Sequence, residues 1–313
     1  MSERDPRESV IRRCARAKVT LALDVQPAAG ATWHAVDIVL QRIGLADRVE
    51  ICTGGAPGSP RVSVSGADLS ADTLATRALE LVEQWLGLRL DVRVALAKRV
   101  PLGAGLGGGS ADAAAIFGWA ADRWPAIRPE LPALAAQVGS DVVFCASPWA
   151  RCRATGRGEQ LLPIEGAAAL WVAVAHPGFA LATSDVYAAF DRVGTTEPPR
   201  AGAVVDALRR GMVPSQVGNQ LEEAAVAVKP EVADFRARLL RHAPRARTAM
   251  TGSGSAFVAV CADEREAAAV GRAWRADGVP FVWWGEASAN DARDAEHAEC
   301  AEAGSHRAGG PAD

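Results

Sequence analysis

Pro101-Leu102-Gly103-Ala104-Gly105-Leu106-Gly107-Gly108-Gly109-Ser110-Ala111-Asp112-Ala113-Ala114-Ala115 is the stretch on which the reading of this chain turns. Leu90 to Leu96, with apolar residues at alternate positions, runs into it as a strand. Ala113, Ala114, Ala115, Ile116 and Phe117 leave it as a small-residue helix. Between the two lie Gly103, Gly105, Gly107, Gly108 and Gly109. Glycine permits positive φ and close backbone approach. A helix N-terminus presents unpaired N–H groups with a partial positive charge. Strand, glycine loop and helix start together make an anion cradle, and the anion they suit is a nucleotide phosphate.

Two other readings of the loop fit less well. A flexible spacer is flanked by Ser/Gly low complexity, and these flanks are a strand and a helix. A dinucleotide fold is suggested by Gly103-Ala104-Gly105-Leu106-Gly107-Gly108, which satisfies G-x-G-x-x-G, a weak pattern alone. That pattern usually opens the first βαβ unit, with an acidic residue about 20 positions on. Here it falls a third of the way along, and Asp122 to Pro129 reads as a helix end and connection. No G-x-x-x-x-G-K-[ST] occurs, which excludes a P-loop.

The order Pro-x-x-(small)-Gly-Leu-Gly-Gly-Gly-Ser-Ala-Asp-Ala-Ala resembles the loop of the GHMP kinases. The likeness continues along the chain, over roughly residues 10 to 285. It takes in Ala17-Lys18-Val19-Thr20, the His34 region with Leu45-Ala46-Asp47, and Val138-Gly139-Ser140-Asp141-Val142. It then takes in Thr155-Gly156-Arg157-Gly158-Glu159, Pro177 to Tyr187, Gly218-Asn219-Gln220-Leu221-Glu222 and Met250-Thr251-Gly252-Ser253-Gly254-Ser255. The glycine loop marks the superfamily. The Gly-Ser-Asp and Thr-Gly-Arg-Gly-Glu stretches resemble its 4-diphosphocytidyl-2-C-methyl-D-erythritol kinase family, which acts in non-mevalonate isoprenoid biosynthesis.

That resemblance implies an α+β fold in two lobes: a ribosomal-S5-like lobe over 10–163 and a ferredoxin-like lobe over 164–285. The strand and helix pattern, which is not a clean βαβ alternation, agrees with α+β. The resemblance also implies ATP as phosphoryl donor, Mg2+ as counter-charge, and a cytidine diphosphate-linked methylerythritol as acceptor. Pro101, Leu102, Gly103, Ala104, Gly105, Leu106, Gly107, Gly108, Gly109, Ser110 and Ala111 would cradle the phosphates. Ser110 is read either as the cap of the following helix or as a contact to a magnesium-bound phosphate oxygen. Asp112 reads as structural, favourable to the dipole of that helix.

The likeness assigns catalysis to Lys18 and Asp141. An aspartate in Val-Gly-Ser-Asp-Val-Val-Phe reads by itself as a cap or turn residue, and a strand lysine as a solvated edge. Together, an ammonium beside a carboxylate keeps the base ionised. Thr20, Trp33, His34 and Tyr187 fall at the family's substrate positions, with an aromatic ring able to stack on a pyrimidine. Thr251-Gly252-Ser253-Gly254 falls at the family's third motif, closing over the phosphates; a plain β-turn is the other reading. The departures are Thr20 and Thr73 where asparagine is usual, Trp33 where tyrosine is usual, and Val143 where proline is usual. They bear on substrate identity more than on phosphoryl chemistry. Another GHMP kinase, acting on homoserine, mevalonate or a sugar, and a catalytically idle relative are the alternatives.

Composition sets the frame. The 313 residues are 49% hydrophobic, enough for one large or two modest cores. Thirty-four basic against 37 acidic residues give a net charge of −3, no basis for nucleic-acid binding. No apolar run approaches the ~20 residues of a membrane span, and the charged start lacks a signal-like apolar core. A cytoplasmic monomer or homodimer follows as the expectation. Six cysteines with no C-x-x-C pair suggest incidental thiols. The stretch 286–313, rich in Ala, Glu, Asp and Gly, is expected to be a disordered tail.

Overall fold

The computed structural model of the protein describes residues 10–26, 33–53, 61–67, 73–166 and 169–287. Of the tail expected over 286–313, Glu286 and Ala287 belong instead to the last strand of the second sheet, and the rest lies outside the described residues.

Two sheets organise the chain. The first is built from β1 (Val10–Val25), β2 (Val36–Thr53), β3 (Val62–Ser65), β4 (Val92–Ala97), β5 (Arg151–Thr155), β6 (Gln160–Pro163) and β8 (Gly218–Asn219). Its main order is β3-β4-β2-β1-β8, with β5 paired to the other half of β2 and β6 to β5. The second sheet, in the order β11-β7-β10-β9, comprises β7 (Leu170–His176), β9 (Thr248–Met250), β10 (Phe257–Cys261) and β11 (Phe281–Ala287), all antiparallel. The mixed α+β reading is therefore the architecture observed.

The pairing of β1 with β2 is interrupted twice, between Arg16 and Lys18 and between Thr20 and Ala22. Bulges re-aim side chains and concentrate near active sites; here they bracket Lys18, Val19 and Thr20. The first leaves Ile43, Gly44 and Leu45 of β2 without register partners. Ile43 and Leu45 enter a core shared by both sheets, with Val19, Leu21, Val172, Val174, Val258, Val260 and Trp283. Gly44 packs against Trp283 of β11, where even a Cβ would lie at an ordinary contact distance of 3.5 Å from the indole.

Helices cover the outer faces. α1 (Leu74–Leu86) and α2 (Gly108–Arg123) pack together, joined by α3 (Leu131–Val138) and α4 (Ser140–Ala146). α5 (Thr183–Val193), α6 (Ala201–Arg209), α7 (Glu222–Val228), α8 (Glu231–Leu239) and α9 (Glu264–Ala276) follow. Thr73 caps α1: its hydroxyl accepts from Thr76 N and its own N–H donates to the Thr76 hydroxyl, closing a capping box.

Several elements differ from the sequence reading. β2 runs for 18 residues, a length its sequence hides because the bulge breaks the period-two pattern. The Gly218–Glu222 motif divides between a strand, Gly218–Asn219, and the start of α7 at Glu222. α4, with seven residues, is too short to show a helical period. Asp112 is the fifth residue of α2, past its first turn, so the dipole argument for it falls away. Among the described cysteines, Cys52, Cys145, Cys152 and Cys261 are free. Cys14 is disulfide-bonded, contrary to the thiol expectation. No described helix is long and apolar enough to cross a membrane.

Candidate active site

The glycine loop is an anchored structure. Ala104 and Leu106 are buried in the core shared by the two sheets. The glycines that alternate with them, Gly103, Gly105 and Gly107, are at positive φ and turn the backbone without a side chain. Gly107, with φ of 68°, is the residue that starts α2. No side chain caps that helix start, so the Ser110 capping reading is withdrawn and Ser110 stands in the first turn, half-exposed.

Lys18 ties the first strand to this loop. Its N–H donates to Leu106 O at 2.9 Å, and a Cβ on Gly107 would lie 2.9 Å from Lys18 Cγ. The Lys18 side chain is only 4% exposed, and its Nζ lies 3.3 Å from Asp141 Oδ2. Asp141 is the second residue of α4, which follows Gly139 directly, and its carboxylate is 39% exposed. Strand β1 and helix α4 thus bring together two residues 123 positions apart, one buried and one open to the cleft.

A second glycine loop closes the other side. The Thr251 hydroxyl accepts from Thr20 N at 2.9 Å and donates to Gly105 O at 3.3 Å. Ala256 N donates to Ala104 O at 3.1 Å. A Cβ on Gly105 would sit 2.0 Å from Thr251 O, so the two backbones touch. Asn219, buried, donates to Met250 O at 2.8 Å and Gly252 O at 2.7 Å. The sequence reading passed over Asn219 as a site residue, although Gly218-Asn219-Gln220 stood out as a motif. A buried amide that satisfies a loop's carbonyls gives no periodic signal.

The expected substrate residues separate into groups. His34 Nε2 is 2.6 Å from Asp191 Oδ1, and its ring lies 5.1 Å from Tyr187 and 5.8 Å from Phe190. Burial pushes the Tyr187 phenol up to about 12, helped by the Asp141 charge, so it stays a neutral donor. His34 and Tyr187 are thus neighbours, with Asp141 within electrostatic reach of the phenol. Trp33 is 41% exposed and makes no ring contact among the described residues. Thr20 is buried, and its hydroxyl has no hydrogen-bond partner among them. Asp191, which fixes the His34 ring, was not anticipated; an exposed aspartate on a helix carries no distinguishing pattern.

Residues 73–148 match the N-terminal domain of the GHMP kinases, and residues 201–279 match their C-terminal domain. A 4-diphosphocytidyl-2-C-methyl-D-erythritol kinase from Pelotomaculum thermopropionicum is 36% identical over 273 residues, covering 85% of this chain and 94% of that protein. The chain belongs to the 4-diphosphocytidyl-2-C-methyl-D-erythritol kinase family of GHMP kinases. A crystal structure titled 4-(cytidine 5'-diphospho)-2C-methyl-D-erythritol kinase superposes on this GHMP kinase with a TM-score of 0.73 at 34% identity, covering 88% of this chain and 98% of that one. Homoserine kinase from Cytophaga hutchinsonii superposes with a TM-score of 0.64 at 18% identity, over 93% of this chain and 96% of that one. The second likeness is one of fold alone. In this GHMP kinase the two glycine loops meet each other and Lys18, which pairs with Asp141, and Tyr187 of α5, with the His34 ring beside it, lies within electrostatic reach of Asp141.

Proposed function

We propose that this kinase transfers the γ-phosphoryl group of ATP to the 2-hydroxyl of 4-diphosphocytidyl-2-C-methyl-D-erythritol, in isoprenoid precursor synthesis. The observation that carries this is the Lys18–Asp141 pair at 3.3 Å, set beside a glycine loop that starts a helix. Asp141 takes the proton of the substrate hydroxyl, and the oxygen attacks the γ-phosphorus as its bond to ADP breaks. Lys18 supports the ionised Asp141 and faces the negative charge that develops on the transferring group. Backbone N–H groups at the start of α2 hold the remaining phosphate oxygens.

Magnesium suits this site as a phosphate-bound ion. No group of three His, Cys, Asp or Glu among the described residues could cage a metal, which leaves phosphate oxygens, water and the Ser110 hydroxyl as its natural ligands. Bound there, it would offset triphosphate charge. The cytidine ring is placed against Tyr187 and His34, with Trp33 at the rim. The unpartnered Thr20 hydroxyl is buried, so it would meet a ligand polar group only if its surroundings moved.

A coupled ADP-release assay with magnesium, ATP and this substrate tests the reading. Turnover should be robust and should fall by about 10²–10⁴-fold in Asp141→Asn, with melting temperature unchanged. ATP binding without turnover would redirect the search to another alcohol. Wild-type turnover in a folded Asp141→Asn protein would sink the base assignment.

A further inference from the structure

Three buried ionisable groups beneath the glycine loop have no task in the phosphoryl-transfer scheme. Asp47 of β2, Lys98 just after β4, and Asp112 of α2 are all buried. Lys98 Nζ lies 2.5 Å from Asp47 Oδ2 and 2.5 Å from Asp112 Oδ2. Asp47 Oδ1 accepts from Arg99 N at 2.5 Å and from Val100 N at 2.8 Å. These contacts hold Lys98 to Val100, which lead into the loop, and Asp112, which lies past it. Both ends are fastened to β2.

The cluster also lies close to the cradle. A Cβ on Gly108, the first residue of α2, would be 3.3 Å from Asp47 Oδ2 and 3.0 Å from Val100 Cβ. Among the described residues, two carboxylates against one ammonium leave one surplus negative charge below the N–H groups that face a phosphate. The other Asp112 oxygen, Oδ1, is buried with no hydrogen-bond partner among the described residues, which makes its ionised form costly.

We propose that Asp47, Lys98 and Asp112 are positioning residues for the nucleotide's polyphosphate: they pin both ends of the glycine loop to β2, and their surplus charge opposes the incoming phosphates to a degree set by Asp112. The pinning half stands on geometry alone. The charge half rests on the nucleotide-binding reading above.

The balance of charges supports a setting near neutrality. Burial, and then the Asp47 charge, push the Asp112 carboxyl up to about 7, with Lys98 pulling the other way. Burial opposes the Lys98 charge too, yet Asp112 and Asp47 outweigh it and hold the ammonium above its ordinary value. The ammonium therefore persists while Asp112 changes state. Below neutrality the cluster is balanced; above it, the surplus charge is expressed.

Two measurements on the full chain decide the matter. Amide hydrogen exchange without ligand is compared between wild type and Asp47→Ala, with Asp47→Asn as the milder variant should Asp47→Ala not fold. Exchange over Lys98–Leu106 should rise about tenfold or more while the second sheet is unchanged, a loss of roughly 1.4 kcal/mol in local protection. Wild-type exchange there in a folded variant would overturn the clamp. The second measurement is equilibrium binding of a non-hydrolysable ATP analogue with magnesium between pH 6 and 8.5, for wild type and Asp112→Asn. The analogue's own charge changes identically for both proteins. The wild-type Kd should rise severalfold more than that of Asp112→Asn as pH increases. Parallel profiles would overturn the charge half. No nucleotide binding by wild type at any pH would overturn the kinase reading and the charge half together, with the clamp still decided by exchange.

Discussion

A lysine with 4% of its side chain exposed, 3.3 Å from an aspartate that is 39% exposed, is an asymmetric pair. The buried partner is fixed by its strand, while the open one can meet a ligand. Removing the lysine would leave the partly exposed carboxylate without its counter-charge, so the two act as a unit and their single-mutant effects should not add. The neighbouring rings allow a separate test. Trp33 is 41% exposed and makes no ring contact among the described residues, so on the proposed reading its contribution to substrate would come through stacking alone. Stacking of a base on an aromatic ring is worth about 1–3 kcal/mol. Trp33→Ala should therefore raise the substrate KM by roughly 5- to 150-fold, leave kcat within about twofold, and leave the KM for ATP unchanged. Steady-state kinetics with each substrate varied in turn would read this. A fall in kcat with unchanged KM would place Trp33 in the reacting geometry instead. Of the residues at this scale, Lys18 and Asp141 were legible because they stand in word-like motifs. Asp191 and Asn219 were not, because what they do depends on partners far away in sequence: His34 for one, Met250 and Gly252 for the other.

At the scale of elements, the two glycine loops form a single device. Gly105, with φ of 74°, presses against Thr251 O, and the Thr251 hydroxyl bridges β1 to the first loop. Gly105→Ala would meet both a positive-φ penalty of about 1–2 kcal/mol and a Cβ 2.0 Å from a backbone oxygen. The loops must then part. A lower melting temperature together with at least tenfold weaker ATP-analogue binding is expected, measured by thermal denaturation and titration. Unaltered binding would mean that the loops need not touch to hold phosphate. The glycine spacing showed that a loop was present and where its helix would start, to within one or two residues. The contact with residues 251–256 could not be seen, because it joins segments about 150 positions apart through backbone atoms that every residue type shares.

At the scale of the whole molecule, the second sheet is a structural support for the cleft. Ala104 and Leu106 of the loop share one core with Val172, Val258 and Trp283 of that sheet. Trp283 is buried, and it stands over Gly44 at the break in β1–β2 pairing that brackets Lys18. Trp283→Ala should cost about 3–5 kcal/mol of stability, read from urea denaturation. It should also impair ATP binding in the fraction that stays folded; full affinity there would show that the loop is held without that sheet. The sequence by itself determined the glycine loop, the mixed α+β class and the family, since each is written in local runs whose residue types are dictated by local backbone geometry. The tertiary structure decided the length and bulges of β2, the short helix that carries Asp141, the embrace of the two glycine loops, and the buried Asp47–Lys98–Asp112 cluster. All of these arise from contacts between distant segments, where burial and pairing, and not local propensity, determine which arrangement is lowest in free energy.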